Sequence, residues 1–313
     1  AAARGDQRPR AGLRQRGRDV DRGALGAAGV EIGDDLQDGF SGYAHANVAR
    51  NRACELRARR ARPTHAARES GGGRDSMEPK FLETGDGRNR ARLAFRRREG
   101  AAPGLVWLGG FKSDMLSTKA ARLDQWAAER GRACLRFDYS GHGESGGDFI
   151  DGTIGQWTAQ SLAMIRAETA GRQILVGSSM GGWIALLVAK ALAEAGETDR
   201  LAGMVLIAPA VDFTQALMWP RLPPQARRDI EEKGLWLRPS QYSPEPYPVT
   251  KALFDDGRNH LLFGDIIRSH CPVHILQGMQ DPDVPWEHAM ELVHRLAGDP
   301  VTITRSEEHT SEL

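Results

Sequence analysis

The chain has 313 residues, 40% hydrophobic and 6% aromatic, enough for a sizeable core in one large domain or two small ones. Its 42 basic and 41 acidic residues leave a net charge of +1, which speaks against nucleic acid as a partner. Cys54, Cys134 and Cys271 stand far apart without a CxxC pair, which argues against a disulfide framework or a zinc site, and no apolar run reaches membrane-spanning length.

Residues 1–76 differ from the rest. They carry 15 Arg, no Lys, no Met and 10 acids, with no sustained period of 2 or 3.6. The scattered acids argue against both a transit peptide and a basic nucleic-acid arm. The expectation is a disordered or spurious upstream segment before Met77.

Orderly patterns begin after Met77. Lys80-Phe81-Leu82-Glu83 and Arg92-Leu93-Ala94-Phe95 read as opening strands, a hairpin around Gly85-Asp86-Gly87. Gly104 to Leu108 is a buried strand ending in Gly109-Gly110-Phe111. Asp114 is placed to cap the next helix, which presents Met115, Leu123, Trp126 and Ala127 to the sheet and is closed by Gly131. A strand at 133–137 and an amphipathic helix at 152–168 follow. Strands then recur at 173–176, 203–207 and 273–277, with a last one beginning at Val301 after a helix at about 286–297. Strands alternating with helices predict an α/β fold with a doubly wound, mostly parallel sheet. Residues 213–269 break the rhythm with seven of the chain's 16 prolines, and are expected to form a small helical cap over the active site.

Between strand 173–176 and a small-residue helix stands Gly177-Ser178-Ser179-Met180-Gly181. It is the G-x-S-x-G nucleophile elbow, which lifts a serine hydroxyl onto a sharp strand-to-helix turn. The spacing selects Ser179, because Ser178 would need glycines where Val176 and Met180 stand. Serine chemistry then needs an acid and a histidine, in the order Ser, Asp or Glu, His. Asp281, after the strand at 273–277, is the expected acid; Asp283 is a turn former and Asp212 the alternative. The oxyanion hole is expected from the backbone N–H groups of Met180 and Phe111. Gly141-His142-Gly143-Glu144-Ser145-Gly146 satisfies G-x-G-x-x-G, but no helix opens within it and no second-strand acid follows at the right distance. It reads as a tight turn near the pocket.

Three segments carry a family resemblance: residues 135–141, residues 173–183, and Gly278-Met279-Gln280-Asp281 with Val284-Pro285-Trp286. The cap stretch from Leu222-Pro223 to Tyr242-Ser243 joins them. Residues 77–304 resemble a serine α/β-hydrolase, closest to the abhydrolase domain-containing protein ten group of acyl-protein thioesterases and acyl-glucuronide esterases. The resemblance implies Ser179 as nucleophile, Asp281 as acid, and acyl thioesters or carboxylic esters as substrates, S-acylated proteins included. No metal and no organic cofactor is implied. Serine at the elbow also separates the chain from haloalkane dehalogenases and epoxide hydrolases, which use Asp there.

The end departs from the group. Its histidine lies past one more strand, a few tens of residues after the acid. Here residues 305–313 read like translated sequencing adapter, so a non-native tail and a C-terminally truncated domain are expected. His309 falls near the expected place and is the possible base. His288 and His294 follow Asp281 too closely and read as surface residues, and His142 is out of order but beside the pocket. Two functions are therefore carried forward, a serine esterase or thioesterase and a catalytically dead scaffold that binds an acyl ligand. The expected location is cytoplasmic, or the mitochondrial matrix for a eukaryotic source.

Overall fold

The computed structural model describes residues 78–87, 90–239 and 246–307. The expectations for residues 1–76, for His309 and for 308–313 lie outside them, as do Tyr242 and Ser243 of the cap stretch.

The opening hairpin forms as expected. β1 (Lys80–Thr84) pairs antiparallel with β2 (Ala91–Arg98), Thr84 facing Ala91 across the turn. β3 (Ala101–Leu108), α1 (Thr118–Glu129), β4 (Arg132–Phe137), α2 (Ile154–Glu168), β5 (Gln173–Ser178), α3 (Met180–Glu194) and β6 (Leu201–Ile207) then alternate. After the cap come β9 (Val273–Gly278), α6 (Trp286–Arg295) and β10 (Val301–Ser306). The main sheet has eight strands in the order β1-β2-β4-β3-β5-β6-β9-β10, antiparallel at the β1 and β2 edge and parallel from β4 onward. β10 runs past Thr304, and Arg305 and Ser306 pair with Gln277 and Gly278 of β9.

Strand periodicity of two sorts the core into two layers. Val106, Leu108, Leu175, Met204 and Leu206 point to one face, where they meet Trp157, Met164, Trp183 and Ile184 of α2 and α3. Trp107, Val176 and Ile207 point to the other and meet Ala120 of α1. α3 is apolar on nearly every side because the sheet, α2 and the cap enclose it, so its burial is complete at Trp183, Ile184 and Val188. Trp183 packs edge-on against Phe213 at 5.8 Å and donates its indole N–H to the His260 carbonyl at 3.1 Å. Truncating such a residue to Ala costs about 3–5 kcal/mol.

Two local expectations fail around α1. The helix starts at Thr118 behind Ser117, and Asp114 instead accepts the N–H of Leu116 at 2.9 Å, closing a turn before the helix. Trp126 is 42% exposed, because Ala120, Asp124 and Ala127 define the buried stripe. Asp124 is buried there to pair with Arg98 at 2.7 Å and Arg136 at 3.3 Å.

The 213–269 insertion is a cap of mixed rather than purely helical structure. A π-helical turn at Thr214–Met218 leads through a 3-10 turn to α4 (Pro224–Lys233), followed by α5 (Lys251–Gly257). Between them lies an antiparallel ribbon of β7 (Leu235–Arg238) and β8 (Tyr247–Thr250). These four-residue strands, one with Pro248, were too short and irregular for periodicity to reveal.

Candidate active site

Ser179 occupies the junction between β5 and α3 with φ 53° and ψ −116°. A residue with a Cβ adopts that backbone at a cost of about 1–3 kcal/mol, and does so only where its surroundings dictate it. Three hydrogen bonds do so here. Ser179 donates its N–H to Ile207 at 2.9 Å, and its carbonyl accepts from Gly182 at 2.9 Å and Ala210 at 3.1 Å. The flanking glycines are needed for space: a Cβ on Gly177 would strike the Gly181 carbonyl, and one on Gly181 the Leu108 carbonyl.

The elbow opens into a cleft of about 640 Å³ between the sheet and the cap. Ser179, Met180 and Phe111 line its floor, and Met218, Leu222 and Trp236 belong to the cap side. The loop after β3 runs beside the serine; a Cβ placed on Gly110 would lie 3.5 Å from the Ser179 Cβ. Phe111 and Met180, the two expected oxyanion donors, thus flank Ser179 in the same cleft. Among the described residues, three cations also line it, Lys112, Arg221 and Arg238, against one carboxylate, Asp283. Lys112 holds its ammonium over the rings of Phe149, at 4.9 Å, and Tyr247, at 5.8 Å. Arg221 reaches from the cap to the carbonyls of Pro282 at 3.2 Å and Asp283 at 3.0 Å, latching cap to sheet.

Asp281 lies in the loop after β9, two strands from the elbow along the same end of the sheet. Its Oδ1 accepts the N–H groups of Asp283 at 2.9 Å and Val284 at 2.8 Å, so it organises its own loop. The cleft is lined by Asp283 and Val284 and not by Asp281. Asp212, the alternative acid, is buried and consumed by structure. Its carboxylate accepts from Leu262 at 2.9 Å and Phe263 at 2.9 Å where the chain returns from the cap, and burial raises its pKa.

Among the described residues, no histidine lines the cleft. His288 is partly buried rather than on the surface, packing on Phe263 at 5.0 Å and donating from Nε2 to the Val211 carbonyl at 2.9 Å. Burial lowers its pKa. His294 is exposed, as expected. His142 is 4% exposed and engaged with backbone, not with the cleft.

Residues 100–307 match the alpha/beta hydrolase family. The chain belongs to that family. Among curated proteins, the mitochondrial palmitoyl-protein thioesterase ABHD10 of Homo sapiens is 35% identical over 212 residues, which cover 67% of this chain and 67% of that one. The Mus musculus protein is 34% identical over the same length, 67% of this chain and 69% of its own. Among solved structures, a protein of Agrobacterium vitis S4 is 44% identical with a TM-score of 0.71, covering 75% of this chain and 92% of that one. The mouse alpha/beta hydrolase domain-containing protein 10 superposes with a TM-score of 0.66 at 31% identity, over 75% and 91% of the two chains.

In this hydrolase the cations of the cleft were not legible in the sequence. Arg221 and Arg238 sit in a segment read only as a cap, and side-chain direction there depends on a ribbon that periodicity did not show. Lys112 was hidden differently. It adjoins the expected oxyanion residue, yet nothing local tells that its φ is 61° and its ammonium faces the cleft.

Proposed function

We propose that this hydrolase cleaves acyl thioesters or carboxylic esters through an acyl-Ser179 intermediate. The supporting observation is the strained Ser179 on the floor of a cap-covered cleft. The Oγ–H proton passes to a base as Oγ attacks the carbonyl carbon, and the oxyanion forms against the N–H groups of Phe111 and Met180. Collapse expels the thiol or alcohol, which takes that proton. Water then attacks the acyl-serine, releasing the carboxylic acid and restoring the hydroxyl. Asp281 is the acid that orients the base, and His309, outside the described residues, is its candidate. Apolar Met218, Leu222 and Trp236 suit the acyl chain, while Lys112, Arg221 and Arg238 suit a leaving group carrying negative charge.

The relatives named palmitoyl-protein thioesterase support the thioester reading, and extend it to S-acylated proteins as substrates. Their names are mitochondrial, which favours the matrix over the cytoplasm for a eukaryotic source. No helix among the described residues is long and apolar enough to cross a membrane.

A second reading is favoured by one observation, the absence of a histidine from the cleft among the described residues. In that case the chain binds an acyl ligand without turnover. A fluorophosphonate probe separates the two. Labelling lost in Ser179→Ala supports the acyl-enzyme, and binding of an acyl thioester with neither labelling nor hydrolysis supports the scaffold.

A further inference from the structure

The motif Gly141-His142-Gly143-Glu144-Ser145-Gly146 failed as a nucleotide fingerprint, and the structure gives its histidine different surroundings. His142 Nδ1 lies 3.2 Å from the Ser140 carbonyl, and Nε2 lies 3.2 Å from the Lys112 backbone nitrogen. A carbonyl only accepts and a backbone N–H only donates, so these partners select one form of the ring. It must be neutral, with the proton on Nδ1 and a free lone pair on Nε2. The ring is also clamped edge-on by Tyr139 at 5.5 Å, Phe149 at 5.1 Å and Trp157 at 5.1 Å.

What it holds is the turn beside Ser179. Ser113 donates its N–H to the Gly110 carbonyl at 3.1 Å, placing Phe111 and Lys112 at the two central positions. Of these only Lys112 has a positive φ, 61°, at the position of a type II turn where glycine is preferred. A lysine there needs outside support. The support comes from the peptide N–H that distinguishes this turn from its flipped alternative, which His142 accepts. Further back, Gln160 of α2 accepts the Ser140 N–H at 2.9 Å and donates to its Oγ at 2.8 Å, and the Trp157 indole donates to the Ser140 carbonyl at 3.2 Å. A continuous chain of bonds therefore runs from α2 through Ser140 and His142 to the turn that carries Phe111.

We infer that His142 is a positioning residue for the oxyanion site: its Nε2 lone pair holds the Phe111–Lys112 turn in the conformation that presents the Phe111 N–H beside Ser179. This rests on the acyl-Ser179 reading for its catalytic meaning. It assigns the imidazole no proton transfer, since both nitrogens face backbone. Burial, the first cause, pushes its pKa down to about 4, which agrees with a ring that is neutral near pH 7.

The test uses the full chain with two substitutions. His142→Gln keeps an acceptor near Nε2, and His142→Leu fills the space without one. Amide exchange at Lys112 and steady-state hydrolysis of a 4-nitrophenyl acyl ester are read together. In His142→Leu the Lys112 amide should lose protection and kcat fall on the order of 100-fold, the scale of losing one oxyanion donor, with KM within about threefold. His142→Gln should restore protection and most of the rate. Unchanged Lys112 protection in His142→Leu overturns the inference, as does a Gln variant no better than Leu. If wild-type protein neither hydrolyses the ester nor labels at Ser179, the acyl-enzyme reading fails instead. The exchange measurement then still decides whether His142 holds the turn.

Discussion

The backbone N–H of Ser179 donates to the carbonyl of Ile207 at 2.9 Å, tying the end of β5 to the end of β6. That bond helps impose φ 53° and ψ −116° on a residue with a Cβ. Strain of this kind is released when the Cβ is removed, so Ser179→Gly should be more stable than Ser179→Ala by about 1 kcal/mol. Both should lose fluorophosphonate labelling if Ser179 is the nucleophile. Urea unfolding of the two variants checks the first statement; an Ala variant as stable as Gly would show the elbow unstrained.

Asp124 is a buried carboxylate shared by Arg98 and Arg136, the latter 1% exposed. Asp124→Ala takes this counter-charge from a buried guanidinium and should cost about 3–5 kcal/mol. The pair of Lys233 with Asp229 on α4 is of another kind, with the lysine largely in solvent. Lys233→Ala should leave the unfolding midpoint nearly unchanged, since screening leaves exposed pairs little net energy. Thermal unfolding of both variants tests the contrast.

His142 and Asp138 shift pH stability in opposite directions. His142 is lowered from 6.5 to about 4, chiefly by burial, so the fold binds fewer protons than the unfolded chain between those values. Its contribution is complete above 6.5 and is lost as pH falls toward about 4. Asp138 is raised from 3.8 to about 6, again chiefly by burial, although it accepts from Met115 and Glu144. Its ionised form weighs against the fold above about 6, and acidification removes that cost. Lys112 and Asp114 are the charged groups whose fields reach the imidazole. Comparing His142→Gln with wild type isolates the histidine. Between pH 7 and 5 the variant should lose less stability than wild type by on the order of 1–2 kcal/mol, read from urea midpoints, and equal losses would refute the assignment.

Arg238 faces Tyr247 across the β7–β8 ribbon and lines the cleft. If the cations there select charged leaving groups, Arg238→Gln should reduce kcat/KM for an anionic acyl thioester about three- to tenfold at low salt. A neutral thioester of the same acyl chain should be unaffected. Equal losses on both would mean that Arg238 shapes the cap without reading charge.

Much of the framework was legible because its causes are local. Short β-branched and apolar runs marked β3, β5, β6 and β9, and the glycine spacing around Ser179 reflects contacts between residues four apart and with the adjoining strand. The cap ribbon, the exposure of Trp126 and the loop role of Asp114 were not legible, since each depends on what packs across from it. Asp212 shows the same limit: its position after β6 suggested an acid, and the returning cap backbone claimed its carboxylate.

By itself the sequence determined the alternation of strands and helices and the residue at the elbow, because period and turn chemistry act over a few neighbouring positions. Only the tertiary structure decided the strand order β1-β2-β4-β3-β5-β6-β9-β10, the cations that line the cleft with Ser179, and the form of His142. Those depend on groups 30 or more residues apart, such as Lys112 and His142, whose meeting is set by how the layers pack.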